Sequence, residues 1–243
     1  MSLDIPGQPG TLVGQIDASA QRSRGNPLEI LPEVKPKLRG WLHAVVAPMA
    51  LVAGIVLLAQ SPEPYLRWGQ AAFVASAVVL FTVSALYHRR VWSARTTARL
   101  RRLDHANIFV HIAGTYTAFA LLFLDPGRAA VPVTLVWLAA GLGIALRVCW
   151  MDAPRWLHAP LYGVVAGVAL LVTADFALYA GHPAMRLMVA GGALYLVGGL
   201  VYCLQRPNPV PTWCGFHEIF HAFTVVAFTT HFVGVSMANS SLG

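Results

Sequence analysis

The sequence predicts an all-α, polytopic membrane protein with a bundle of seven transmembrane helices. Hydrophobic residues make up 57% of the 243-residue chain and charged residues only 11%, less than half the charged share of a typical soluble domain. The apolar residues lie in runs of about 20, the length that a helix needs to cross a bilayer. Seven such runs fall near residues 41–60, 69–88, 105–124, 129–149, 157–180, 185–204 and 216–238.

The runs divide the chain into three parts. Residues 1–39 are rich in proline, glycine and charge, so we expect a mostly disordered cytoplasmic tail. Residues 40–238 form one seven-helix membrane domain, and 239–243 form a short external tail. The three cysteines are too few for a disulfide framework, so we interpret them as small core residues.

Basic residues indicate how the bundle is oriented. With the N-terminus in the cytoplasm, 14 of the 17 Lys and Arg residues lie inside: five in the tail, six in the second loop, two near the fourth and one in the sixth. Only Arg67, Arg128 and Arg186 lie outside. This bias predicts a cytoplasmic N-terminus and an external C-terminus in the cell membrane, the plasma or inner membrane. The net charge of +7 is explained by topology and needs no nucleic-acid partner.

A pair of histidines opens the seventh run, in the stretch Phe216-His217-Glu218-Ile219-Phe220-His221. Helical residues four apart share a face, so His217 and His221 can bind one metal ion together. Ionisable groups are costly within a membrane, and such a pair is therefore a candidate functional site.

Three helices bring further polar residues to the same membrane level. The second run ends at His88, the third begins near Asp104, and the seventh begins with His217 and His221. Under the predicted topology all of these lie at the cytoplasmic end. Ser84 is one turn deeper than His88 on the same helix face.

Three histidines and an open position are the pattern of a catalytic zinc site. A metal ion there would lower the pKa of water towards about 7 and polarise a carbonyl. Asp104 is placed to hold and deprotonate that water, and Ser84 to steady a developing oxyanion or a ligand histidine. The alternative is that these groups only satisfy one another at a buried helix junction.

Four segments carry a resemblance to a known family. They are Ser84-Ala85-Leu86-Tyr87-His88, the run from Arg102 to Phe109, Ala113-Gly114-Thr115-Tyr116-Thr117, and His217-Glu218-Ile219-Phe220-His221. Together with the seven-helix plan, over about residues 36–238, they resemble the hemolysin III family within the wider progestin and adipoQ receptor group.

The resemblance implies a site and an activity. In the family's adiponectin receptors three histidines on the second and seventh helices hold zinc, and an aspartate on the third engages the water on it. By motif these residues correspond to His88, His217, His221 and Asp104, with the family's serine at Ser84. The family is similar to alkaline ceramidases, which implies hydrolysis of a lipid amide or ester. Its hemolysin III branch has also been called cytolytic.

The same stretch fits a rival motif. His217 to His221 reads H-E-x-x-H, in which the glutamate of a zinc protease is the general base. Such a protease needs a third ligand, and the nearest candidate, Asp125, lies at the outer end of the third run. We therefore rank an intramembrane protease below the other readings.

For the other polar residues, the sequence favours roles outside the metal site. His43 could approach the site, but an interfacial position is favoured, and His111 is interpreted as a hydrogen-bonded core histidine. His231 lies too deep to share the metal. Cys214 is a weak candidate for a fourth ligand, and the role of the intramembrane Asp175 is open.

Three classes of function follow: a zinc-dependent hydrolase of membrane lipids, a pore-forming or cytolytic protein, and a receptor or sensor with structural zinc. A channel should repeat polar residues along its length, whereas here they gather at one level, which favours the hydrolase. Membrane lipids are the expected partners. The sequence does not name the substrate or the oligomeric state.

The charge bias gives the first testable prediction. Reporter fusions should place the N-terminus in the cytoplasm and the C-terminus outside, because 14 of 17 basic residues then face inwards. An external N-terminus would place the histidine site on the outer face instead.

Overall fold

The computed structural model describes residues 36–150, 161–167 and 181–242, and these residues are all-α. Six of their helices are long and apolar enough to cross a membrane, and they correspond to six of the seven predicted runs. We number seven helices: α1 Trp41–Ala59, α2 Pro64–Arg89, α3 Ala94–Phe123, α4 Pro126–Cys149, α5 over residues 161–167, α6 Pro183–Leu204 and α7 Phe216–Ser240. The predicted tail over 1–35, most of the predicted fifth helix and Asp175 lie outside the described residues.

Two helices begin well before the predicted apolar runs. Helix α2 starts at Pro64, whose ring suits the first turn of a helix. Helix α3 starts after Ser93, whose hydroxyl accepts a hydrogen bond from the Thr96 amide at 3.3 Å. The loop predicted over 89–104 is therefore wrong, because hydropathy marks the membrane-embedded length of a helix and not its end. Most of its arginines lie on the first turns of α3.

Helix α3 is the centre of the bundle. It packs against α2, α4 and α7, and 72% of the residues in its most apolar 18-residue stretch are buried. By contrast, α1, α4 and α6 expose large apolar side chains such as Met49, Leu138 and Leu196, as helices facing lipid do. The chain therefore turns its apolar surface outwards and keeps its polar groups inside.

Glycine lets α2 and α3 approach closely. A Cβ atom at Gly114 would lie 2.6 Å from the Ser76 hydroxyl and 2.7 Å from the Ala72 carbonyl oxygen. Small residues at such contacts allow the backbones of membrane helices to pack closely. This contact sets the distance between the helices that carry His88 and Asp104.

One end of the bundle collects the residues singled out in the sequence, and we call it the histidine end. Helices α2 and α6 finish there, and α1, α3 and α7 begin there. Residues 36–40 form a turn that lies against the loop before α7, with hydrogen bonds from the Lys37 and Leu38 amides to the Thr212 and Trp213 carbonyls.

We expect Gly114→Ala to lower the free energy of unfolding by about 1–3 kcal/mol, because the new methyl group overpacks a backbone contact. Thermal unfolding in detergent measures the effect. Gly141→Ala is the matched control, since nothing lies within 4 Å of a Cβ at that helical position. Equal stability of the two variants would contradict the close approach.

Candidate metal centre

Three histidines from two helices meet at the histidine end. His88 lies in the last turn of α2, and His217 and His221 lie in the first two turns of α7. The four-residue spacing places the α7 pair on one face, directed towards His88. His88 and His221 are buried, and His217 is half-buried.

The ring geometry is that of converging nitrogens. The Nε2 atoms of His88 and His217 lie 3.2 Å apart. One ligand atom from each of the three histidines lies within 4.8 Å of the others. The rings meet at interplanar angles of 60° to 72°, so they are edge-on to one another and not stacked.

These distances fit a metal ion. Ligand nitrogens about 2.0–2.1 Å from a tetrahedral zinc ion lie about 3.3 Å from each other, close to the separation between His88 and His217. At this separation the two nitrogens can share either a proton, in a hydrogen bond, or a metal ion. The cluster of His88, His217 and His221 could therefore hold a metal ion.

Asp104 and Ser84 lie beside the histidines. Asp104 is on α3, and its Oδ2 atom is 3.8 Å from the Nε2 atom of His88. Ser84 is one turn before His88 on α2 and is close enough to the Asp104 carboxyl to hydrogen-bond with it. The structure thus brings all five predicted site residues together, and the serine faces the aspartate. The Asp104 side chain retains 15% of its accessible surface, so water can reach it.

Glu218 faces away from the cluster, although it stands between two of the histidines in the sequence. Its Oε2 atom accepts a hydrogen bond from the Gly215 amide at 2.8 Å, which caps α7. Its Oε1 atom accepts one from Arg39 at 2.9 Å. Because both oxygens are engaged in structure, the carboxylate is not placed as the general base of a zinc protease.

His43 approaches the site, which is the alternative that the sequence favoured less. Its ring is buried and stacks on the His221 ring, with centroids 4.0 Å apart and planes 12° apart. A sequence signal was available: His43 begins a buried stripe that continues through Ala47, Ala50 and Gly54. The period of this stripe places His43 on the core face of α1.

A second polar level lies deeper in the bundle around His111. Ser76 donates to the Phe73 carbonyl at 2.8 Å, so its oxygen accepts from the Nδ1 atom of His111 at 3.0 Å. Tyr195 can then donate to Nε2, also at 3.0 Å. His111 is thus the hydrogen-bonded core histidine favoured by the sequence, and it joins α2, α3 and α6.

Other polar groups lie farther along the bundle. His231 contacts the Met188 carbonyl at 2.9 Å, away from the metal centre. Near the opposite end, Gln70 donates to Asn239 at 2.8 Å, and both are buried. The expectation that polar residues gather at one level is therefore wrong, because the described helices carry polar groups at several depths.

Aromatic rings lie between the metal centre and the His111 level, because Phe81 also packs against His43 and Phe73 against His111. Phe73 and Phe81 are fully buried, and each ring packs against Phe228 at 5.4 Å and 5.2 Å between centroids. Apolar packing consequently separates the metal centre from the His111 level, whereas Tyr195 contacts both His111 and His231 and joins the two deeper levels.

Two further residues lie before and beside the histidines of α7. Cys214 does not belong to the group of ligand atoms formed by the three histidines. Tyr202 on α6 was not singled out in the sequence, yet its ring packs edge-on against His217 at 5.7 Å. No pattern in the sequence of α6 marks this tyrosine, since its neighbours are uniformly apolar.

Fold and site together define a polytopic helical membrane protein with a buried three-histidine centre near one membrane face. The profile of the Haemolysin-III related family matches residues 33–232, and the chain belongs to that family.

Curated relatives agree with this assignment. The chain is 25% identical to the Hemolysin-3 homolog of Bacillus subtilis (strain 168) over 186 residues, which cover 75% of this chain and 84% of that protein. It is 26% identical to Hemolysin-3 of Bacillus cereus over 189 residues, 75% of this chain and 82% of the relative. It is 29% identical to the Heptahelical transmembrane protein ADIPOR2 of Oryza sativa subsp. japonica over 188 residues, 70% and 82% of the two chains. No solved structure is significantly similar to the chain.

We expect purified protein to hold about one metal ion per chain, and the triple variant His88→Ala/His217→Ala/His221→Ala to hold none. Elemental analysis after dialysis checks both. His182→Ala is the control, because this histidine caps α6 at the other end of the bundle. Equal metal in the triple variant and in wild type would contradict the site.

Proposed function

We propose that the protein is a zinc-dependent hydrolase that cleaves acyl amide or ester bonds in membrane lipids. The observation that carries this proposal is the Asp104 carboxylate, which lies 3.8 Å from His88 Nε2 at the edge of the three-histidine cluster. A purely structural zinc site is normally closed by four protein ligands, whereas this cluster combines three ligands with an adjacent base.

Zinc is the metal that the ligand set favours. Three imidazoles with a vacant fourth direction are typical of catalytic zinc. A zinc ion bound there would polarise a carbonyl and allow water to ionise near neutral pH.

Asp104 is the group that moves the proton. Its Oδ2 atom is close enough to the cluster to accept a proton from an attacking water and to pass it to the leaving amine or alcohol. Ser84, beside this carboxyl group, holds it in orientation. In this role Ser84 acts through Asp104 and not through a ligand histidine.

A lipid substrate follows from the surroundings of the site. The histidines occupy the ends of helices that can cross a membrane, so the cluster lies near the headgroup level of one leaflet. Tyr87, Tyr202 and Phe220 pack around the imidazoles. The acyl carbonyls of membrane lipids lie just below their headgroups, at the depth of the cluster. Under the predicted topology this is the cytoplasmic leaflet of the cell membrane.

A cytolytic pore is the second candidate, because two relatives carry the name hemolysin. A pore through a single bundle of the described helices would have to pass the contacts of Phe73, Phe81 and Phe228. A sensor with structural metal would bind the same ion as the hydrolase but would not cleave lipid. An assay of lipid hydrolysis therefore distinguishes the two.

We expect Asp104→Asn to retain the metal and to lose hydrolysis by about 100-fold to 10,000-fold, because asparagine cannot accept the proton. The assay incubates zinc-loaded protein with vesicles of phosphatidylcholine, phosphatidylglycerol and ceramide and measures released fatty acid by mass spectrometry. Asp125→Asn, the same change at the far end of the bundle in the residue before α4, is the matched control.

The outcomes separate the three classes. Cleavage by wild type and by Asp125→Asn, but not by Asp104→Asn, supports the hydrolase. Full cleavage by Asp104→Asn with metal retained would move the base elsewhere. Leakage of vesicles that depends on the histidines, without cleavage, would favour the pore. Bound metal with neither effect would favour the sensor.

A further inference from the structure

The two helices that carry the histidines are held together mainly by other elements. Helices α2 and α7 pack less closely against each other than each packs against α1 and α3. A metal centre needs its ligand atoms placed to within about 0.2 Å of ideal distances. Some element must therefore fix the end of α2 relative to the start of α7.

Residues 36–40, which we call the N-terminal clamp, contact both. On the α7 side, the clamp makes the two backbone hydrogen bonds to Thr212 and Trp213 already described. The ammonium group of Lys37 also lies 4.3 Å from the centre of the Trp213 ring, a cation–π contact.

An ion pair continues the clamp into the first turn of α7. Arg39 Nε donates to Glu218 Oε1 at 2.9 Å, and the two side chains retain only 14% and 2% of their accessible surfaces. Glu218 is the residue next to the ligand His217. The second oxygen of Glu218 caps the helix at Gly215, so the pair ties the clamp to the backbone that orients His217.

On the α2 side, the clamp packs against the Cβ atom of the third proposed ligand, His88. Gly40 has φ +77°, a left-handed conformation that favours glycine. A Cβ atom there would lie 2.9 Å from the Cβ atom of His88 and from the Cγ atom of Arg89. The chain then enters α1, whose first turn carries His43 onto the face of His221.

We infer that Arg39 is a positioning residue for the metal centre: through Glu218 it fixes the start of α7 against the end of α2 and so brings His217 and His221 to His88. This inference rests on the proposed metal binding and is independent of hydrolysis. It also assigns Glu218 of the H-E-x-x-H stretch to positioning and not to proton transfer.

The test variant is Arg39→Gln, because two physical effects predict opposite signs. Removing a positive charge near a cation site should strengthen zinc binding if only Coulomb attraction and repulsion matter. Loss of the clamp should instead weaken it by about 10-fold to 100-fold, the usual cost of removing a partner that orients metal ligands. Titration against a chromophoric zinc chelator measures the dissociation constant.

Three variants test the mechanism. Arg95→Gln removes an equal charge from an exposed position in the first turn of α3 and should leave zinc affinity within about twofold of wild type. Arg39→Lys should lose less affinity than Arg39→Gln, because lysine can still pair with Glu218. The double variant Arg39→Gln/Glu218→Gln should bind little more weakly than Arg39→Gln, as expected if the two residues act as a pair.

The zinc-induced rise in melting temperature is a second readout, and a simple loss of packing does not change it. Zinc should raise the melting temperature of Arg39→Gln by less than it raises that of wild type, because ligand stabilisation follows affinity. An equal zinc-induced rise, or a dissociation constant equal to or below that of wild type, would overturn the inference while leaving the metal site intact. A wild-type protein that binds no zinc would overturn both.

Discussion

A polar side chain within a bilayer must find its partners inside the protein, because hydrocarbon offers none. The architecture of this chain follows that constraint. Large apolar side chains on α1, α4 and α6 face outwards, and the imidazoles of His88, His111, His217, His221 and His231 face inwards. Both ring nitrogens of His111 hydrogen-bond to protein groups, and the Nε2 atom of His231 hydrogen-bonds to the Met188 carbonyl. In the cluster of three, two imidazoles contact each other, with the Nε2 atoms of His88 and His217 3.2 Å apart. The same separation would also suit two ligands of one metal ion.

The stretch from His217 to His221 shows how a short motif takes its meaning from its surroundings. In a soluble zinc protease the glutamate of this motif works on water, and both histidines share the metal with a third ligand farther along the chain. Here the third histidine comes from earlier in the chain, at His88, and the glutamate is turned towards Gly215 and Arg39. The carboxylate adjacent to the cluster is that of Asp104. The same H-E-x-x-H sequence therefore supports different roles for its residues here than in a zinc protease.

Much of this arrangement could be predicted from the sequence, because the length and hydropathy of an apolar run identify a membrane helix. The meeting of His88, Asp104 and His217 followed from helix count and direction alone. Hydropathy could not locate the starts of α2 and α3, which depend on Pro64 and on the cap at Ser93. It also could not reveal the pairing of Arg39 with Glu218, 179 residues apart, since nothing local in either segment depends on the other. The stripe beginning at His43 was visible, but a histidine near a membrane boundary reads first as interfacial.

The order of the ligands along the chain has a consequence for biosynthesis. His88 and His217 are separated by 129 residues, and His217 and His221 belong to the last helix. A chain made from its N-terminus can complete α1 to α6 before any of its α7 ligands has left the ribosome. A metal ion held by the three histidines would therefore be captured late, only by a chain whose final helix has been synthesised and inserted. A chain interrupted before α7 would keep His88 and Asp104 in the membrane without the two histidines that complete the centre, and metal-dependent resistance to proteolysis would distinguish finished chains from interrupted ones.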